Sequence, residues 1–182
     1  DKMGWKNQPT RTISFDNCIA PKSNLVGKEG EGFKIAMQGL DGGRINIASC
    51  SLGAARFCIE KTINYVNERK QFGKYLKDFQ SVQFKLADMI TDFEAAKLMV
   101  HKAAEALDKN EKHSTISSAM AKRYATDVCF RICNEALQIH GGYGYLADFG
   151  IEKMVRDCRV HQILEGTNEI MRVIIARALI KD

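Results

Sequence analysis

After Pro21 the chain of 182 residues contains no further proline, and from Lys28 onward apolar residues recur every three or four positions. Proline costs about 3 kcal/mol inside a helix, so its absence from so long a stretch leaves long helices open to the chain. The apolar period then selects them. Ile45, Ala48, Leu52, Ala55, Ile59, Ile63 and Val66 form one stripe on a helix expected from about Arg44 to Glu68, with a short helix before it over Glu31 to Gly39. Phe79, Val82, Leu86, Ile90, Phe93, Ala96, Val100, Ala103 and Leu107 mark a second long helix, for which Asp78 is the expected N-cap. Met120, Tyr124, Val128, Ile132 and Ala136 mark a third, from about Thr115 to Ile139, which Gly141 and Gly142 end with a left-handed C-cap. A shorter fourth, from Asn168 to about Ile180, carries Ile170, Ile174 and Leu179. Long helices joined by short links predict an all-α fold, an antiparallel four-helix bundle, and their length leaves apolar surface for association with another subunit.

Residues 1–27 read differently. Thr10 to Phe15, TRTISF, alternates polar and apolar positions between Pro9 and Pro21, the pattern of an edge strand and loop. One strand cannot bury a face alone, so its neighbours are expected upstream, in a larger protein of which this chain is a piece. The expected organisation is therefore the end of a β-domain and a linker over 1–27, then a helical bundle domain over 28–182.

The formal net charge of +5 is spread without a long basic run, which argues against nucleic acid and allows an anionic ligand. No stretch is apolar for long enough to span a membrane. Cys18, Cys50, Cys58, Cys129, Cys133 and Cys158 include no CxxC, and the four histidines are scattered, so a reducing compartment and no metal are expected.

Four polar interruptions need a reason. In Asp41-Gly42-Gly43-Arg44 two glycines let backbone approach a ligand, and Arg44 suits phosphate or carboxylate; from spacing alone a plain loop with a solvated arginine is the somewhat better reading. Glu68-Arg69-Lys70-Gln71-Phe72-Gly73 is by itself an ordinary basic helix end. Gln138-Ile139-His140-Gly141-Gly142-Tyr143-Gly144 follows a helix rather than a strand, which rules out a dinucleotide fingerprint but leaves backbone donors for a phosphate or ribose. In Glu165-Gly166-Thr167-Asn168-Glu169, Thr167 or Asn168 can cap the last helix, and Glu165 follows Val160, Ile163 and Leu164; it is either a general base in an apolar setting or a surface capping group.

Taken in order, RKQFG at 69–73, Phe79-Gln80, QIHGGYG at 138–144, Arg156-Asp157, and ILEGTNEI at 163–170 with Arg172 resemble the C-terminal signature of the acyl-CoA dehydrogenases. The likeness covers essentially the whole chain, and GLDGGRINIAS at 39–49 with QILEG at 162–166 is most similar to the isobutyryl-CoA-specific members. The resemblance implies Glu165 as catalytic base; Asp41, Gly42, Gly43, Arg44 and Arg177 as acyl-CoA contacts; and Thr167, Asn168 and Glu169 as FAD contacts. It further implies that Arg69, Phe79, Gln80 and Gln138, Ile139, His140, Gly141 and Gly142 reach the FAD of a neighbouring subunit in a homotetramer. A minority of the family carries its base where Gly43 stands here, and Gly43 cannot be one.

The implied reaction is flavin-dependent α,β-dehydrogenation of a short branched acyl-CoA, with an electron-transferring flavoprotein as electron acceptor. The implied location is the mitochondrial matrix in a eukaryote and the cytoplasm otherwise. An acyl-CoA oxidase, or a bundle serving only oligomerisation, are the alternatives. Several straight-chain members carry an aromatic residue where Leu164 stands, which implies more room here for a branched acyl group.

Overall fold

A computed structural model describes residues 1–180. Five helices form the bundle: α1 (Gly32–Glu68), α2 (Gln80–Asp108), α3 (Ser114–His140), α4 (Ile151–His161) and α5 (Asn168–Leu179). α3 packs against each of the other four.

Cross-helix pairs give the directions. Asp41 meets Thr115 and Tyr65 meets His140, so α1 and α3 lie side by side pointing the same way. Lys85 pairs with Glu135 and Arg131 with Asp92, so α2 runs against α3. Gly150 approaches Phe57 while His161 meets Ser51, which sets α4 against α1. The core is drawn from α1, α2 and α3, with Ile151 and Cys158 of α4 closing one side. Alanines and cysteines dominate it, and this lets backbones approach closely.

The all-α bundle is as expected, with four differences in detail. First, α1 does not break at Asp41-Gly42-Gly43 but runs through all 37 residues. Two glycines cost a helix about 1 kcal/mol each, a penalty offset here by packing: Arg44 is buried, its Nη1 donates to Asp41 Oδ1 at 2.6 Å one turn back, and the Thr115 hydroxyl of α3 donates to Asp41 Oδ2 at 2.6 Å. Second, Asp78 does not cap α2. Phe79 holds the N-cap position, and the Asp78 carboxylate accepts from the Tyr75 N–H instead, capping the short turn Leu76–Asp78 that follows a hairpin of β1 (Lys70–Gln71) and β2 (Lys74–Tyr75). Third, residues 151–161 form a helix that the interruption pattern did not announce. Fourth, no strand forms over Thr10 to Phe15, where the extended chain is exposed and has no neighbour to pair with.

The apolar stripes are also rotated slightly from expectation. Ile63, Ile90 and Met120 are exposed, while Thr62, Met89 and Lys122 face inward. Gly141 does end α3 with a positive φ of 59°, although its ψ of −136° lies outside the left-handed helical region.

Candidate active site

The loop from Gln162 to Thr167 turns the chain from α4 into α5. Glu165 and Gly166 both adopt positive φ, 56° and 87°, so the turn is tight and, at Glu165, strained by about 1 kcal/mol or more. Gly166 suits the turn through its positive φ, and a Cβ there would stand 2.8 Å from the end of the Met171 side chain. Thr167 caps α5, its hydroxyl accepting from the Ile170 N–H at 3.4 Å.

This turn lays the Glu165 side chain across α1 at Gly43. A Cβ on Gly43 would lie 2.9 Å from Glu165 Cδ and closer still to its carboxylate oxygen, so the glycine is the space the carboxylate occupies. Among the described residues no donor hydrogen-bonds that carboxylate. It faces a cavity of about 600 Å³ whose apolar wall is Ile47, Val160, Ile163 and Leu164. The opposite wall is the N-terminal segment, Lys2 to Trp5 with Gln8 and Thr10.

α4 holds that segment in place. The Trp5 N–H donates to the Asp157 carboxylate, Arg156 Nη1 donates to the Met3 carbonyl at 3.0 Å, and the Trp5 ring meets His161 edge-on at 5.0 Å. Gly4 is pressed so closely on the Arg156 backbone that any side chain would collide with it. Burial pushes the Asp157 carboxyl upward, but the Lys153 ammonium and the Trp5 N–H outweigh that and hold it below its usual range.

Arg44 and Asp41 line a second cavity of about 500 Å³ with Phe33, Lys34, Met37, Gln38, Thr115 and Ile174. Asp41 is fixed between Arg44 and Thr115, whose hydroxyl donates to Asp41 Oδ2 at 2.6 Å. Arg44 Nε is buried and has no hydrogen-bond partner among the described residues.

The second and third interruptions meet at the far end of the bundle. Arg69, Ile139, His140, Gly141 and Gly142 line a cavity of about 510 Å³ with Tyr65, Gln71, Leu76, Tyr143 and Leu146. The Arg69 guanidinium lies 5.2 Å from the centre of the Tyr143 ring. His140 stacks on Tyr65 at 4.3 Å, and its Nδ1–H donates to the Ala136 carbonyl at 2.7 Å. Burial pushes its imidazole below the ordinary histidine range, so it is neutral at pH 7. A Cβ on Gly141 or Gly142 would touch nothing, so the backbone there is bare toward the cavity. A bare backbone turn, a fixed cation and exposed aromatic rings suit a phosphate-bearing flavin cofactor.

The remaining expected residues stand elsewhere. Phe79, Gln80 and Gln138 flank this third cavity without lining it, and Arg177 is exposed on α5 outside the Asp41–Arg44 cavity. Thr167 and the exposed Glu169 line none of the three, and the Asn168 side chain turns inward onto Thr126 and Asp127. Sequence reasoning did not single out Tyr65, Trp5, Thr115 or Lys122. Only Lys122 carried a signal, a lysine in helical phase with Ser118, Ala125 and Cys129.

Residues 30–180 match the family described as acyl-CoA dehydrogenase, C-terminal domain. The chain belongs to the acyl-CoA dehydrogenase family. It is 52% identical over 181 residues to the mitochondrial isobutyryl-CoA dehydrogenase of Bos taurus, covering 100% of this chain and 44% of the relative. It is 46% identical over 180 residues to the caffeyl-CoA reductase-Etf complex subunit CarC of Acetobacterium woodii, covering 99% of this chain and 47% of that one. The butyryl-CoA dehydrogenase of Megasphaera elsdenii superposes with a TM-score of 0.97 at 44% identity, over 100% of this chain and 47% of that structure. The chain thus spans less than half the length of these relatives. The family is one of FAD-dependent oxidoreductases, and FAD is its cofactor.

Proposed function

We propose that the full-length protein carrying this domain removes two hydrogens across the α,β bond of a short branched acyl-CoA, with Glu165 as general base. The observation that carries the reading is the Glu165 carboxylate, free of hydrogen-bond donors, standing over Gly43 at the mouth of an apolar cavity. A carboxylate so placed can take a proton from a carbon once bound substrate expels water. Ile47, Val160, Ile163 and Leu164 offer the acyl chain an apolar wall. When bound, FAD supplies the acceptor for the β-hydrogen, as hydride.

Arg44 and Asp41 hold the polar part of the thioester ligand in this reading, Arg44 Nε being the donor in wait. Gly43 and Arg69 are about 39 Å apart along α1 at about 1.5 Å per residue, too far for both ends of one chain's bundle to serve one flavin ring. That distance supports active sites shared between subunits of a homotetramer. The likeness to an isobutyryl-CoA dehydrogenase supports the branched substrate, and the likeness to a subunit of an Etf complex supports an electron-transferring flavoprotein as partner.

Glu165→Gln in the full-length, FAD-loaded protein keeps the shape and removes the proton acceptor. Stopped-flow absorbance is expected to show flavin reduction by isobutyryl-CoA abolished, with FAD content unchanged. Near-normal reduction would sink the assignment. Turnover in the opposite direction, from the enoyl-CoA, is the parallel measurement that the CarC likeness calls for.

A further inference from the structure

Lys122 is the one lysine on the inward face of α3, with 0% of its surface exposed. Its ammonium donates to the Gly166 carbonyl at 2.8 Å and to Asn168 Oδ1 at 2.9 Å. Gly166 directly follows Glu165, and Lys122 is the partner that holds its carbonyl among the described residues. Asn168 is in turn fixed on the next turn of α3, its amide donating to Thr126 Oγ1 at 2.9 Å and Asp127 Oδ1 at 2.7 Å. Gly166 and Asn168, which flank Thr167, are therefore both tied to a single stretch of α3, Lys122 to Asp127.

We propose that Lys122 is a positioning residue for Glu165: its buried ammonium clamps the Gly166 carbonyl and Asn168, and so keeps the strained Glu165 turn closed with the carboxylate over Gly43. The proposal rests on the reading of Glu165 as base. Glu165 and Gly166 hold consecutive positive φ values, a geometry that a loop keeps only when its surroundings over-determine it. The other contacts hold the turn at its ends, Gln162 Nε2 donating to Asp127 Oδ1 at 2.8 Å before it and the Asn168 amide on Thr126 and Asp127 after it. Within the turn the backbone bonds are Ile163 and Leu164 N–H to Val160 O and Asn168 N–H to Gln162 O, which bracket Glu165 without touching it.

The environment also shows that the charge itself is not what the site favours. Burial brings the Lys122 ammonium down to about 8, with Asp127 of α3, Glu169 of α5 and Glu165 of the loop pulling it upward and Arg44 of α1 pushing it further down. An apolar residue would avoid that desolvation but would leave the Gly166 carbonyl without a donor. What lysine contributes, and an apolar side chain cannot, is the pair of directed N–H bonds.

The test uses the full-length, FAD-loaded protein with Lys122→Met, which keeps length and loses the donors, and Lys122→Gln, which keeps one amide donor. Three quantities are read: melting temperature with FAD content, the rate constant of flavin reduction per bound FAD at saturating isobutyryl-CoA, and exchange of the substrate α-proton with D2O by mass spectrometry. Lys122→Met is expected to slow both reduction and α-proton exchange by about 10- to 100-fold at nearly unchanged KM, because a displacement near 1 Å costs a base that much. Lys122→Gln is expected to fall between it and wild type, and it carries the test if Lys122→Met fails to fold. A lowered melting temperature with wild-type reduction and exchange per flavin would make Lys122 a stabilising residue only and overturn the proposal. So would a raised KM with an unchanged rate constant. Glu165→Gln in the same series separates the two readings: if it still reduces flavin, the base assignment fails whatever Lys122 does, and if it does not, normal Lys122 variants refute the clamp alone.

Discussion

At Gly43 a helix backbone and a carboxylate share a space that one methyl group would fill, and at Gly166 a second glycine gives way to Met171. These two absences of side chain, one on α1 and one in the turn before α5, let Glu165 lie across the bundle instead of outside it. Beside it, Leu164 lines the same cavity. If leucine makes the room that a branched acyl group needs, Leu164→Tyr should lower kcat/KM for isobutyryl-CoA about tenfold to a hundredfold more than for butyryl-CoA. The check is both esters on both proteins, with thermal melting as the control for folding. An unchanged ratio would mean that Leu164 packs without reading the branch.

At the scale of elements, α3 is the member that everything else leans on, and Lys122 is its joint with α5. The folded-state pKa of Lys122 is depressed from 10.5 to about 8, so between those values the unfolded chain binds more protons than the folded one. Stability contributed through Lys122 is therefore lowest below pH 8 and rises as the pH climbs toward 10.5. The stability of wild type relative to Lys122→Met is expected to grow over that window, by an amount on the order of 3 kcal/mol at most. Urea denaturation of both proteins from pH 7 to pH 10.5 measures it, groups common to the two cancelling. A flat difference would mean that the ammonium is not desolvated. α4 plays a different part, with Arg156 and Asp157 on one face gripping the N-terminal segment and Ile151 and Cys158 on the other entering the core.

On the scale of the whole molecule, the bundle carries a candidate site toward each end. Glu165 and Arg44 lie toward the start of α1, and Arg69 with the Ile139-to-Gly142 turn lies at its close. Arg69 stands on Tyr143 in a cavity open to whatever docks there. Arg69→Ala in the full-length protein is expected to lower FAD content and tetramer stability together, since a cofactor bound across an interface stabilises the state that binds it. Flavin absorbance and sedimentation velocity are the measurements. Full occupancy in an undisturbed tetramer would refute the cross-subunit role.

Much of the architecture was legible in the sequence because it depends on local repetition: apolar residues every three or four positions specify helices, whatever they pack against. The ordered motifs likewise marked Glu165, Arg44, Arg69 and the turn after α3. Which face of each helix points inward was decided by packing, since alanine, cysteine and threonine fill a close helix contact better than Ile63, Ile90 or Met120 would. α1 stayed whole through Asp41-Gly42-Gly43 for the same reason: a local penalty of about 2 kcal/mol is outweighed by a buried ion pair and a carboxylate that needs the vacated volume. The strap of Lys2 to Trp5 on α4 and the clamp of Lys122 on Gly166 join residues far apart in the chain, with no periodicity to announce them. Sequence marked the candidate residues through local motifs; only the tertiary structure, which joins distant segments, decided what holds them in place.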